Sequence, residues 1–132
     1  MINEQQNTQK IVELYEAFAQ GDINAIIANL TDDVVWLSNC DPIVPWSGEY
    51  SGQGSVKGFF DAIFTSVEVL GFQPQEFVAQ GDTVVSMGTF ESKSYKTQKS
   101  AKTKWIFVWK FREGQICSYE QFHDPNLTQM FK

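Results

Sequence analysis

Histidine is all but missing from this chain: His123 is the only one. Two cysteines, Cys40 and Cys117, stand at positions that match no metal or redox spacing. A lone imidazole among scattered carboxylates does not make a ligand set, so no metal site is expected. No glycine-rich phosphate loop follows a strand either, Gly52-x-Gly54 being too short a signal, and no cofactor is expected. Positive charge is the scarcer sign. Ten Lys and Arg against sixteen Asp and Glu leave a net charge of −6, which argues against nucleic acid or an anionic membrane as a partner. The lysines that cluster at Lys93, Lys96, Lys99, Lys102 and Lys104 read as a solvated loop and strand edge. The segment Met1–Lys10 is polar and no apolar run approaches membrane-spanning length, so a cytoplasmic protein with reduced thiols is expected.

Aromatic residues are what the chain has in excess, at 14%, with eleven Phe, four Trp and four Tyr. In a single domain spanning residues 1–132, such side chains either fill a core or line a cavity. Ile11, Leu14, Tyr15 and Phe18 share one stripe of an amphipathic helix over about Asn7–Gln20, which Gly21 ends. Asp22 is a natural cap for a short second helix with Ile23, Ile26, Ile27 and Leu30 on its apolar side. Thr31-Asp32-Asp33 reads as a turn whose carboxylates cap backbone amides, leading into a strand over Val34–Ser38. From Asn39 to Gly54 no periodicity holds, and a loop of that length raises the odds that it shapes a site. Val56, Phe59, Phe60, Ile63, Phe64 and Val67 then repeat at helical spacing until Gly71. Phe72–Gln80, interrupted by Pro74, and Thr83–Ser92 read as strands, and Lys93–Ala101 as a polar loop. Pro125 suits the first position of a short terminal turn through Phe131.

Between them, Lys102–Asp124 forms a hairpin around Arg112-Glu113-Gly114, taken as a three-residue connection. Setting Phe111 opposite Gln115 places Trp109 opposite Cys117, Phe107 opposite Tyr119, Trp105 opposite Gln121 and Thr103 opposite His123. Those residues then share one aromatic face with polar groups at one end. Lys104, Ile106, Val108, Lys110, Ser118, Glu120, Phe122 and Asp124 fall on the other face. That mixture of charge and aliphatics suits a homodimer interface. Helices gathered on one face of a largely antiparallel sheet make an α+β domain.

The helix end Gly21-Asp22-Ile23-Asn24-Ala25-Ile26, the strand entry Asp32-Asp33-Val34-Val35-Trp36 and Pro45-x-x-Gly48-x-Tyr50-x-Gly52 carry a family resemblance. Gly81-Asp82-Thr83-Val84-Val85, Gly114-Gln115-Ile116 and the closing Phe122-His123-Asp124 complete it over about residues 8–125. The chain resembles the nuclear transport factor 2-like superfamily, in its SnoaL-like and ketosteroid-isomerase-like branch. The resemblance implies a cone-shaped, curved, mainly antiparallel sheet with helices packed on its concave face, a pocket at the wide end, and a homodimer built through the outer face. Ketosteroid isomerases use an Asp base and a Tyr and an Asp as oxyanion donors. The matching positions here hold Ser38, Leu14 and Phe107, which cannot do that chemistry, although Tyr15 lies one residue from the helix position.

His123, on the aromatic face, is the first candidate for proton transfer at neutral pH; the bland alternative is a rim histidine bonded to Thr103. Asp124 is a second candidate, since some SnoaL-like cyclases place an acidic acid/base residue near this strand's end; otherwise it caps the following turn. Val85, Met87, Thr89 and Glu91 face the pocket in the family register, which makes Met87 a lining residue and Glu91 a third candidate at the rim. Tyr119 and Gln121 face inward and are placed to orient a carbonyl or hydroxyl. Trp36, Trp46, Tyr50, Phe60, Phe64, Trp105, Phe107 and Trp109 are expected as walls. The expected function is a cofactor-independent isomerase, cyclase or hydrolase acting on a small hydrophobic molecule. The alternative is a ligand-binding or dimerisation module without catalysis.

Overall fold

A computed structural model describes residues 2–132. Its order is α1 (Ile2–Ala19), α2 (Ile23–Ile27), β1 (Leu30–Asn39), β2 (Gly48–Ser51), α3 (Gln53–Ser66), β3 (Val67–Gln80), β4 (Thr83–Ser94), β5 (Ser100–Arg112), β6 (Gln115–His123) and α4 (Asn126–Gln129). One curved, unclosed sheet runs β2-β1-β6-β5-β4-β3. Neighbours are antiparallel except β1 and β6, which are parallel. This is the α+β cone that the sequence suggested.

The helical stripe of α1 does what its spacing dictates, with Ile11, Leu14 and Tyr15 buried. Gly21 turns the chain with φ +74°, and the Asp22 side chain accepts a hydrogen bond from the Ala25 amide at 3.2 Å to cap α2. From α3, Val56, Phe59, Phe60 and Ile63 reach the core, while Phe64 remains partly exposed.

Several boundaries differ from the sequence reading. Helix α1 begins at Ile2 rather than about Asn7, and Leu30, expected on the second helix, opens β1. Thr31-Asp32-Asp33 lies inside β1, where a register irregularity between Leu30 and Val35 absorbs it, rather than in a turn. The expected loop over 39–54 contains β2, which pairs Tyr50 with Trp36. Helix α3 stops at Ser66, not Gly71, because Val67 already pairs with Ser94. The 95–99 turn is shorter than the loop expected over 93–101, since β4 runs to Ser94 and β5 begins at Ser100. Pro74 is tolerated within β3 because that strand is an edge of the sheet and shifts register between Pro74 and Glu76.

The hairpin register also needs correcting. Only Glu113 and Gly114 form the turn, both at positive φ (+52° and +80°), so Arg112 pairs with Gln115. Trp109 therefore faces Tyr119, Phe107 faces Gln121 and Trp105 faces His123. An extra residue, Cys117, is left between the Phe111–Ile116 and Lys110–Ser118 pairs. This bulge switches the parity of the strand, so Ile116 is fully buried while Gln115 is exposed. Beyond the bulge, Tyr119, Gln121 and His123 keep the inward face expected of them.

The register of β4 is opposite to the expected one. Val84, Ser86, Gly88, Phe90, Ser92 and Ser94 point inward; Glu91 is exposed on the outer face and Met87 lies with it. Gly88 is where space decides: a Cβ there would sit 2.3 Å from the Gln73 carbonyl oxygen and 2.6 Å from the Trp105 ring. Among the described residues no helix is long and apolar enough to cross a membrane.

Candidate functional site

Between the concave face of the sheet and helices α1 and α3 lies a cavity of about 60 Å³. Its walls come from α1 (Leu14, Tyr15, Phe18), α2 (Ile26), α3 (Phe59, Phe60, Ile63) and the 40–47 loop (Trp46). The strands supply Trp36, Phe72, Phe90, Phe107, Trp109, Tyr119, Gln121 and His123. None of these side chains carries a fixed charge. Trp36 stacks on Tyr119 with ring centres 3.9 Å apart, and Phe59, Phe60 and Trp109 meet Trp36 edge to face.

Nine of the expected site residues are brought together here: Tyr15, Trp36, Trp46, Phe60, Phe107, Trp109, Tyr119, Gln121 and His123. Trp105 is buried but lies behind the wall, its ring parallel to those of Phe72 at 5.0 Å and Phe107 at 4.0 Å. Thr103 is buried too, and its hydroxyl donates to the Phe90 carbonyl at 3.3 Å instead of bonding His123. Tyr50 borders Phe59 from outside, and Phe64 stacks on Phe18 at the surface. Met87 and Glu91 face away. The Asp124 carboxylate accepts from the Asn126 amide at 2.8 Å, which holds the turn leading into α4. Leu14, Phe18, Ile26, Phe59, Ile63, Phe72 and Phe90 are lining residues that the sequence reading had not singled out. Helical spacing marked Leu14, Ile26, Phe59 and Ile63 as core, and nothing local separates a core position from a cavity wall.

Polar groups gather in two places. In the first, the Tyr119 hydroxyl donates to Gln121 Oε1, and Gln121 Nε2 donates to Ser38 Oγ at 2.8 Å, with Cys40 Sγ at 3.9 Å. Ser38 and Cys40 lie 3.5 Å apart and complete the chain. Burial pushes the Tyr119 hydroxyl and the Cys40 thiol up, so both stay protonated at neutral pH. The Gln121 amide has its strong bonds taken by protein groups; its evident work is to hold the inner wall in place.

The second is the Tyr15 hydroxyl. It accepts from Trp109 Nε1 at 3.0 Å and shares a short hydrogen bond with Ser86. Only one of the two hydroxyls donates across that contact. If Tyr15 did, the proton of the fully buried Ser86 would have no acceptor among the described residues. If Ser86 does, the unmatched proton is that of Tyr15, which lines the cavity whereas Ser86 does not. The second arrangement costs less, and the proton positions are assigned on that ground. Burial raises the Tyr15 hydroxyl far enough to keep it protonated.

His123 stands apart from both groups. Its ring meets Phe107 at 6.0 Å, its Nδ1 is enclosed, and it makes no hydrogen bond to any described residue. Desolvation lowers its pKa from 6.5 to about 4, only partly opposed by the Asp124 charge, so the imidazole is neutral at pH 7. Phe107 bridges the two functional candidates, lying 6.4 Å from the Tyr15 ring and 6.0 Å from His123. The arrangement provides a neutral proton acceptor and a hydroxyl donor around one apolar space. Among the described residues no cluster of side chains is fit to hold a metal ion.

Solved structures share this architecture. A nuclear transport factor 2-like protein from Burkholderia xenovorans is 23% identical, with a TM-score of 0.87 over 98% of each chain. One of unknown function from Burkholderia pseudomallei is 26% identical, with a TM-score of 0.86 over 96% of this chain and 98% of that one. TerC, crystallised with polyporic acid, is 25% identical, with a TM-score of 0.80 over 96% and 98%. No curated protein matches the chain. The SnoaL-like domain family matches residues 11–119, most of the chain and nearly every element that builds the cavity, and the protein belongs to that family.

Proposed function

We propose that this protein is a cofactor-independent acid/base catalyst acting on a small, neutral, flat hydrophobic molecule. The observation that carries the reading is the pairing, around one aromatic cavity, of an imidazole without a protein partner and the Tyr15 hydroxyl. An acid/base group and an electrophilic partner are the minimum such chemistry requires. His123 takes a proton from a carbon next to a carbonyl. The Tyr15 hydroxyl donates a hydrogen bond to the carbonyl oxygen as charge develops there, and the imidazolium returns the proton at the same or a neighbouring carbon. A substrate oxyanion beside the imidazolium favours the protonated form, which offsets the low basicity of His123 in the empty cavity. The polyporic acid with which the similar TerC was crystallised supports a small-molecule occupant. Neither Glu91, exposed on the outer face, nor Asp124, engaged in the turn before α4, takes part.

The test uses 2-tetralone, a flat neutral ketone, in deuterated buffer. Exchange of its α-protons, followed by NMR, is expected with the wild type and expected to vanish with His123→Asn. Equal exchange rates in the two proteins would remove His123 from the chemistry.

A second reading concerns assembly. On the outer face Val78, Val85 and Val108 fall in one row, and Met87, Ile106 and Phe122 in the next, with Ile106 44% and Phe122 43% exposed. An apolar patch rimmed by Lys104, Lys110 and Glu120 suits a second copy of the chain, and we assign the homodimer to it. The free thiols of Cys40 and Cys117 fit a cytoplasmic location.

A further inference from the structure

The cavity is too small for the ligand its chemistry asks for. At about 60 Å³ it holds a few waters, whereas an engineered apolar cavity that admits benzene measures about 150 Å³. One wall has to move. The sheet side is held by ladders, and α1 is fixed by Tyr15 to Ser86 and by Lys10 Nζ to the Gly114 carbonyl at 3.0 Å. Helix α3 is anchored through Phe59 and Phe60 against Trp36.

The remaining wall is Trp46. Its segment, Cys40–Ser47, joins no ladder although it buries Val44 and Trp46. Its backbone bonds are local, from the amides of Cys40, Val44 and Ser47 to the carbonyls of Ser38 (3.1 Å), Asp41 (2.9 Å) and Val44 (3.0 Å), with the Tyr50 hydroxyl donating to the Ser47 carbonyl at 3.4 Å. The Trp46 ring is backed by Phe131, edge to face at 5.5 Å. Phe131 belongs to a second unladdered segment, 125–132, which docks by burying Leu127 and Met130. The Thr97 hydroxyl latches that segment by donating to the Met130 carbonyl at 2.7 Å, and Lys99 Nζ by donating to the Lys132 carbonyl at 2.9 Å. Segments held by few local hydrogen bonds open most readily.

We propose that Cys40–Ser47 and 125–132 form a two-part gate, latched by the Trp46–Phe131 contact, that must open to admit ligand to the cavity. The inference rests on the pocket reading above, but not on His123 being catalytic. The two segments open together, because displacing Phe131 removes the support behind Trp46.

The test is stopped-flow binding of N-phenyl-1-naphthylamine, a neutral dye that brightens in apolar sites, combined with amide hydrogen exchange. In the wild type the binding rate is expected to level off with rising dye concentration at the opening rate. Phe131→Ala and Thr97→Val are each expected to raise that plateau about three- to tenfold, the range for loss of one aromatic pair or one hydrogen bond. Phe131→Ala is also expected to speed exchange of the Val44 and Ser47 amides by a similar factor, although it lies in the other segment. Dye that binds with a rate rising linearly, unchanged in both variants, would overturn the gate while leaving the cavity reading intact. Failure of the dye to bind to the wild type and to both variants would overturn gate and cavity together.

Discussion

His123 makes stability depend on pH in a way that can be worked out beforehand. Its imidazole is lowered from 6.5 to about 4 by burial, so between those values the unfolded chain binds a proton that the folded one refuses. Stability then rises with pH through that window and is lost as pH falls. Holding the imidazole neutral against such a shift corresponds to about 3 kcal/mol of differential preference. Integrating the linkage relation, the wild type should lose about 2 kcal/mol from this group between pH 7 and pH 5, and about 3 kcal/mol by pH 4. The upper part of the window is the cleaner one, because most carboxylates titrate below it. Urea unfolding at pH 7 and pH 5, on the wild type and on His123→Asn, isolates the effect. The variant should be nearly flat over that interval where the wild type is not. Equal losses in the two proteins would mean that His123 is solvated in the fold, and its burial against the cavity would be refuted.

Gly88→Ala should cost about 3 kcal/mol, because the new methyl meets a backbone carbonyl and the Trp105 ring, neither free to withdraw; a midpoint within error of the wild type in urea would contradict the close approach. Trp105→Ala should cost about 3–5 kcal/mol, as expected of a fully buried aromatic side chain, read by thermal or urea unfolding. Tyr15→Phe should leave the fold in place and slow 2-tetralone exchange about a hundredfold, the scale for loss of one oxyanion donor. The proposed dimer is expected in sedimentation velocity of the wild type, and Ile106→Glu should give monomers with circular dichroism unchanged.

The polar end of the site shows why a register matters more than a face. Side-chain alternation by itself put Trp105, Phe107, Trp109, Tyr119, Gln121 and His123 on one side of the hairpin, and they are there. Which of them touch was decided by a two-residue turn at Glu113-Gly114 and by the bulge at Cys117. Thr103 was therefore not available to His123, and the imidazole was left without a partner.

Helical spacing, the Gly21 stop and the Asp22 cap determined α1 and α2 from sequence alone, because those signals act over a few residues. The motif order likewise determined the family. The inward face of β4 was not legible. Its two alternating sets, Val84-Ser86-Gly88-Phe90 and Val85-Met87-Thr89-Glu91, differ little in hydrophobicity. The smaller set turns inward because the Tyr15 hydroxyl and the Trp105 ring require the space that Ser86 and Gly88 leave. Tertiary structure also decided how much of the aromatic cluster is wall and how much is core. That depends on how the rings stack across elements far apart in sequence, and no local pattern of residues encodes it.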